Sequence, residues 1–157
     1  MQQLLELGNG AHALALQMLG NTDDATDVVQ DAIVKTLRRP GGYDERNGPL
    51  APWFLRVVRN ACIDLLRRRR PTDPDTGKLS EPGPGPREVL ELSQRDAQLH
   101  SAMARLTDEQ RQIIVLRDYM DLSYAEIAGV LDIPQGTVMS KLHRSRIALR
   151  KELSDYE

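Results

Sequence analysis

Residues 122–146, LSYAEIAGVLDIPQGTVMSKLHRSR, constrain the fold more than any other stretch, because they carry the punctuation of two helices set across a tight turn. Ser123 stands where a helix N-cap belongs, and Glu126 three residues on completes a capping box. Leu122 and Ile127 take the two positions of a hydrophobic staple around that cap. The first helix is predicted to run to about Leu131, with Asp132-Ile133 as a short turn. Pro134 then fits the first turn of a second helix, where a missing N–H costs nothing. That helix carries Lys141, Arg144, Arg146, Arg150 and Lys151, with no acidic residue between Thr137 and Lys151. A basic helix joined to a short partner by a tight turn is the geometry that lays a helix in a DNA major groove.

The rest of the chain cannot be one continuous body with this pair. Residues 71–86 hold five prolines and three glycines with little apolar content, which neither a helix nor a strand survives. The reading is a linker, 71–86, between helical domains at 1–70 and 87–157. Such a tether is expected to let the domains sample many separations. No stretch alternates with period two for more than a few residues, so the predicted class is all-α. No apolar run approaches the ~20 residues of a membrane span. No charged-then-apolar leader opens the sequence, so a cytoplasmic location is expected. The single cysteine, Cys62, excludes an internal disulfide and a multi-cysteine zinc site, and its neighbours suggest a small, partly buried helix residue.

A net charge of −2 looks wrong for a nucleic-acid binder until it is divided along the chain. Residues 1–70 hold ten basic and eight acidic side chains, 71–86 one and three, and 87–157 ten and twelve. The basic residues concentrate in two places: Arg56 to Arg70, six arginines against the lone Asp64, and Lys141 to Lys151. Local clustering sets the field that phosphates feel, so two patches in two halves imply two separate contacts.

Helical periodicity fills both halves. Leu4, Leu7, Ala11, Leu14 and Met18 mark a helix from Gln2 to Leu19. Thr22-Asp23-Asp24 opens a second with a cap and first-turn carboxylates, and Lys35, Arg38 and Arg39 end it, the charge order that the helix dipole prefers. After a polar loop, Pro40 to Pro49, a third helix is predicted over Leu50–Arg70. Its main stripe is read as Trp53, Val57, Ala61 and Leu65, with Phe54, Val58 and Cys62 beside it. Beyond the linker, helices are predicted from about Arg87 to Arg105 and from Thr107 to Tyr119, the latter with a second capping box, Thr107 and Gln110.

These pieces together resemble a bacterial RNA polymerase sigma factor of the extracytoplasmic-function (ECF) type. The resemblance rests on Asp24–Asp31, Trp53–Asp64 with the following arginines, Leu106–Arg111, Val115–Arg117 and Leu122–Arg146, in this order. It implies that the N-terminal domain, sigma region 2, binds the β′ clamp of core RNA polymerase and engages the −10 element of promoter DNA. The C-terminal domain, region 4, would bind the β flap and read the −35 element. It also implies regulation by an anti-sigma factor, no catalytic residues, no cofactor and no membrane insertion.

Residue by residue, the resemblance puts Gln135, Thr137, Met139, Ser140, Lys141, His143 and Arg144 at the −35 element. Relatives often carry Arg where Met139 and Lys141 stand. Methionine cannot form a bidentate bond to guanine, which leaves Arg144 as the best candidate for a base contact. At the −10 element the candidates are Tyr43, Asn47, Asn60, Asp64, Arg67 and Arg68, with the loop from Tyr43 to Pro52 holding a flipped base. Asp27, Gln30 and Asp31 are the candidates for polymerase docking. Plainer readings stand beside these. Tyr43 can be a hinge packing residue, His143 a surface residue, and Arg150 and Lys151 compensation for the helix dipole. Trp53 reads as core.

Asp23, Asp27 and Asp31 share four-residue spacing, yet no His accompanies them and the dipole accounts for first-turn acids. A metal-dependent hydrolase therefore lacks a convergent nucleophile or base. The main alternative is a helix-turn-helix regulator that binds an operator without core polymerase.

Overall fold

A computed structural model describes residues 2–38, 43–69 and 93–155. Among them are seven α-helices and no strand. The N-terminal half contains α1 (Gln2–Leu19), α2 (Thr22–Arg38), a 3₁₀ turn (Glu45–Asn47) and α3 (Leu50–Arg68). The C-terminal half contains α4 (Gln94–Ala104), α5 (Asp108–Ile114), a π turn (Val115–Tyr119), α6 (Tyr124–Leu131) and α7 (Gln135–Ser154). The predicted linker, 71–86, and the predicted helix start at Arg87 lie outside the described residues.

Local chemistry sets the boundaries. Gly20, at φ 71°, ends α1 while its N–H donates to the Leu16 carbonyl at 2.8 Å. The cap of α2 is one residue earlier than predicted. Asn21, not Thr22, accepts the Asp24 N–H on its Oδ1 at 3.0 Å. In α4 the N-cap is Ser93, whose hydroxyl accepts from the Asp96 N–H at 3.2 Å. The helix predicted to run unbroken to Tyr119 instead widens after Ile114, and the Met120 N–H reaches the Val115 carbonyl at 3.0 Å.

In the first half, Leu14, Ala15, Ala25, Val29, Phe54, Val58 and Cys62 form the buried interior. The main stripe of α3 is therefore Phe54, Leu55, Val58 and Cys62, while Trp53, Val57, Ala61 and Leu65 are only half-buried. This reverses the order read from periodicity. A helix presents both stripes at similar spacing, and only the positions of α1 and α2 decide which one points inward. In the second half, Ile113, Leu116, Ile127, Val130, Val138 and Leu142 are buried around the helix-turn-helix.

The two halves also pack on each other. α1 lies against α5 and the π turn, and α3 against α6, so that buried side chains of both halves form one contiguous cluster. The sequence suggested separate bodies at many distances; the structure holds them in one packed arrangement. No described helix is long and apolar enough to cross a membrane.

Candidate nucleic-acid interface

The helix-turn-helix is built by its caps. Ser123 Oγ accepts the Glu126 N–H at 3.1 Å, and Glu126 Oε1 accepts the Ser123 N–H at 2.9 Å, which completes the box. α6 ends at Asp132 in the left-handed region, φ 57°, a conformation that a short polar side chain tolerates. The Ile133 N–H then bonds back to the Ala128 carbonyl at 3.1 Å. Pro134 occupies the N-cap of α7, one place before the first-turn position predicted for it. Val138, Leu142 and Ser145 are the buried side of α7, and Ser145 Oγ donates to the Lys141 carbonyl at 2.7 Å, so its hydroxyl is not left unpaired.

The other side of α7 faces outward. Gln135, Met139, Ser140, His143 and Arg144 are exposed, Met139 to 55%, and Thr137 and Lys141 are half-buried. Ser140 Oγ donates to the Thr137 carbonyl at 3.1 Å. The basic residues of this helix differ in their freedom. Lys141 Nζ is ion-paired with Glu109 of α5, and the Arg146 guanidinium with Asp118 of the π turn at 2.5 Å. Arg144 takes part in no ion pair among the described residues. A count of acids along α7 alone misses these partners, which come from elements distant in sequence.

In the N-terminal half, the loop before α3 is closed on itself. The Tyr43 hydroxyl donates to the Gly48 carbonyl at 2.9 Å, and the Tyr43 ring lies 5.3 Å from that of Trp53 at an interplanar angle of 51°. Asp44 caps the 3₁₀ turn, accepting the Arg46 N–H at 3.0 Å. That bond and the Arg46 guanidinium hold its carboxyl below the usual carboxylate range. Tyr43 is half-buried; Asn60, Asp64, Arg67 and Arg68 are exposed along α3. The Asn47 side chain and Arg70 lie outside the described residues. Arg69 turns back to Asp24 at 2.6 Å, and this hydrogen-bonded pair lowers the Asp24 carboxyl.

On α2, Asp27, Gln30 and Asp31 are exposed, followed by Val34 and Leu37 at 42% and 48% exposure. The inner edge of the same helix faces α3 across a cleft of about 270 Å³ lined by Asp24, Asp31, Asp64 and Arg68. Among the described residues, no three His, Cys, Asp or Glu side chains converge as metal ligands would. Burial pushes the Cys62 thiol up to about 12, which leaves it protonated and inert.

One functional-looking pair escaped the sequence reading. Arg59 Nε donates to Gln112 Oε1 at 2.9 Å, joining α3 to α5 across the two halves, and Gln112 is 7% exposed. The available signal was a glutamine inside the apolar run 112–116, QIIVL, which a buried position tolerates only with a partner.

Comparison with known proteins matches this layout. Residues 5–72 match the model of Sigma-70 region 2, and residues 96–149 that of Sigma-70, region 4. An all-α chain carrying both in this order is a sigma factor. ECF RNA polymerase sigma factor SigW of Bacillus subtilis is 30% identical over 156 residues, covering 92% of this chain and 83% of SigW. SigE of Mycolicibacterium smegmatis is 31% identical over 150 residues, and the match spans 58% of its length. Among solved structures, the sigma factor RpoE in complex with the anti-sigma factor NepR from Bartonella quintana shares the fold, with a TM-score of 0.80 and 24% identity over 98% of this chain and 95% of that one. CnrH in complex with the cytosolic domain of CnrY gives a TM-score of 0.73 and 26% identity over 99% and 88%. The chain belongs to the ECF RNA polymerase sigma factors.

Proposed function

We propose that this chain binds core RNA polymerase and directs initiation at promoters with −10 and −35 elements, through region 2 at 1–70 and region 4 at 87–157 tethered by 71–86. The observation that carries the −35 assignment is the outward face of α7, where Arg144 is exposed and takes part in no ion pair among the described residues, beside Met139, Ser140 and His143. Arg144 reaches a base edge without first breaking a salt bridge, whereas Lys141 must give up Glu109. Gln135, Thr137 and the first amides of α7 suit phosphate contacts at a helix N-terminus.

For the −10 element, Asn60, Asp64, Arg67 and Arg68 form one exposed flank of α3, and the loop carrying Tyr43 and Asn47 stands at its start. With its hydroxyl engaged by Gly48 and its ring on Trp53, Tyr43 shapes that loop, leaving the flipped base to the loop's remaining polar groups. Asp27, Gln30 and Asp31, with Val34 and Leu37 one turn on, offer a mixed acidic and apolar face for the β′ clamp. The β flap is left to region 4.

The chemistry of initiation belongs to the polymerase; this chain acts in the cytoplasm and supplies no catalytic group. CnrH was solved with CnrY and RpoE with NepR; by the same logic an anti-sigma factor holds this chain inactive. Run-off transcription with purified core polymerase on a promoter selected by the holoenzyme tests the reading. Promoter-directed transcripts dependent on the chain are expected. Failure to join core, or joining without directing initiation, overturns it, and operator binding without polymerase would favour the regulator reading.

A further inference from the structure

We propose that Glu109 and Asp118, two acids outside α7, are specificity-determining residues for the −35 element. They hold two of the helix's cations away from phosphate and leave recognition to Arg144. The proposal rests on the −35 reading above.

The first observation is charge. From Gln135 to Arg146, α7 carries Lys141, Arg144 and Arg146 and no acid. In the folded chain Lys141 Nζ is ion-paired with Glu109, and the Arg146 guanidinium with Asp118. Arg144 alone of the three takes part in no ion pair among the described residues.

The second is position. At about 3.6 residues per turn, Lys141 and Arg146 flank the buried line of Val138, Leu142 and Ser145, one on each side. Arg144 lies beyond Lys141 on the outward face. When that face enters a groove, both flanking cations remain beside α5 and the π turn, where their acids stand.

The third is that neither stability nor local helix chemistry accounts for both acids. The paired side chains are 31% to 57% exposed, and ion pairs at such exposure contribute little to folding. Glu109, in the first turn of α5, suits the positive end of a helix dipole. Asp118 does not: it stands next to the end of the same helical run, where the dipole opposes an acid. What it meets there is Arg146, which donates to its two carboxylate oxygens through Nε at 3.2 Å and Nη2 at 2.5 Å. A two-pronged bond of this kind fixes geometry as well as charge.

Electrostatics then links these pairs to sequence choice. Binding to a wrong sequence is driven by phosphates and their released counterions, whereas base contacts carry the discrimination. On the intact element, the bond of Arg144 to a base fixes the register of α7, and a flanking cation meets a phosphate only if that register allows. On scrambled DNA no register is imposed, so every cation not already neutralised adds to binding. Neutralising Lys141 and Arg146 within the protein therefore weakens wrong sites more than the right one.

The test uses holoenzyme assembled from core polymerase and the full chain carrying Glu109→Gln and Asp118→Asn, on promoters whose −35 element is intact or scrambled. Both substitutions nearly conserve size and remove one charge each. The variant is expected to bind the scrambled promoter about threefold more tightly than wild type, and its preference for the intact element is expected to fall. The slope of log affinity against log salt should steepen by roughly one per released cation. Adding Lys141→Gln and Arg146→Gln is expected to restore the wild-type slope, and failure to restore it overturns the assignment. Weaker binding to both promoters would make the acids structural struts and overturn the proposal, as would an unchanged preference or slope. Should the double variant not assemble with core, Glu109→Gln alone decides: a slope steeper by about one is expected, and no steepening overturns the proposal. A wild-type holoenzyme indifferent to scrambling overturns the −35 reading itself, and the proposal with it.

Discussion

The two promoter-reading halves are built on opposite principles. In region 4 the candidate surface is one face of a single helix, α7, whose start, turn and buried side are each set by residues within a few positions of one another. In region 2 the candidate surface joins a loop to the flank of α3, and its shape depends on the Tyr43–Gly48 bond and the Tyr43–Trp53 contact. A helix face tolerates change at its exposed positions because the scaffold beneath is independent of them. The region 2 loop has no such separation, since its own residue Tyr43 holds it together.

Substitutions ordered by size sharpen this contrast. The largest effect is expected from the fully buried Phe54, on the inward side of α3 near the region 2 loop in sequence. Phe54→Ala should cost ~3–5 kcal/mol of folding stability by urea denaturation, and should weaken −10 recognition more than −35 recognition. Equal loss at both elements would break the comparison.

Next comes Arg144→Ala, which leaves the scaffold untouched. It is expected to cost ~1–3 kcal/mol of discrimination at one −35 position without changing stability, measured by competition among promoter variants. Uniform weakening across all sequences would assign Arg144 to phosphate.

The smallest effect belongs to the Asp24–Arg69 pair that joins α2 to α3. Because Arg69 is more than half exposed, Asp24→Asn is expected to cost at most ~1 kcal/mol. The hydrogen bond from Arg69 holds the native Asp24 carboxyl below its ordinary value of 3.8, so the pair stabilises the fold above about pH 4. That contribution is lost as pH falls through the lowered native value, and stability curves of wild type and variant should converge there.

Much of region 4 was legible in sequence because its signals are local. The Ser123–Glu126 box and the Asp132 turn need no knowledge of the rest of the chain. What failed was long-range. The Lys141–Glu109 and Arg146–Asp118 pairs connect residues 32 and 28 positions apart and were invisible along α7. The choice of Phe54 and Leu55 over Trp53 as the inward side of α3 depends on where α1 and α2 stand. The contact between the halves had one mark, a glutamine in an apolar run, which alone is uninformative.

The central claim is that this chain, mounted on core polymerase, chooses the promoter through the exposed face of α7 and the exposed flank of α3. Run-off transcription with purified core polymerase, on promoters whose −10 or −35 element is intact or scrambled, tests it most directly. Transcripts that require the chain and are lost when either element is scrambled are expected. Equal transcription from intact and scrambled promoters would contradict the account.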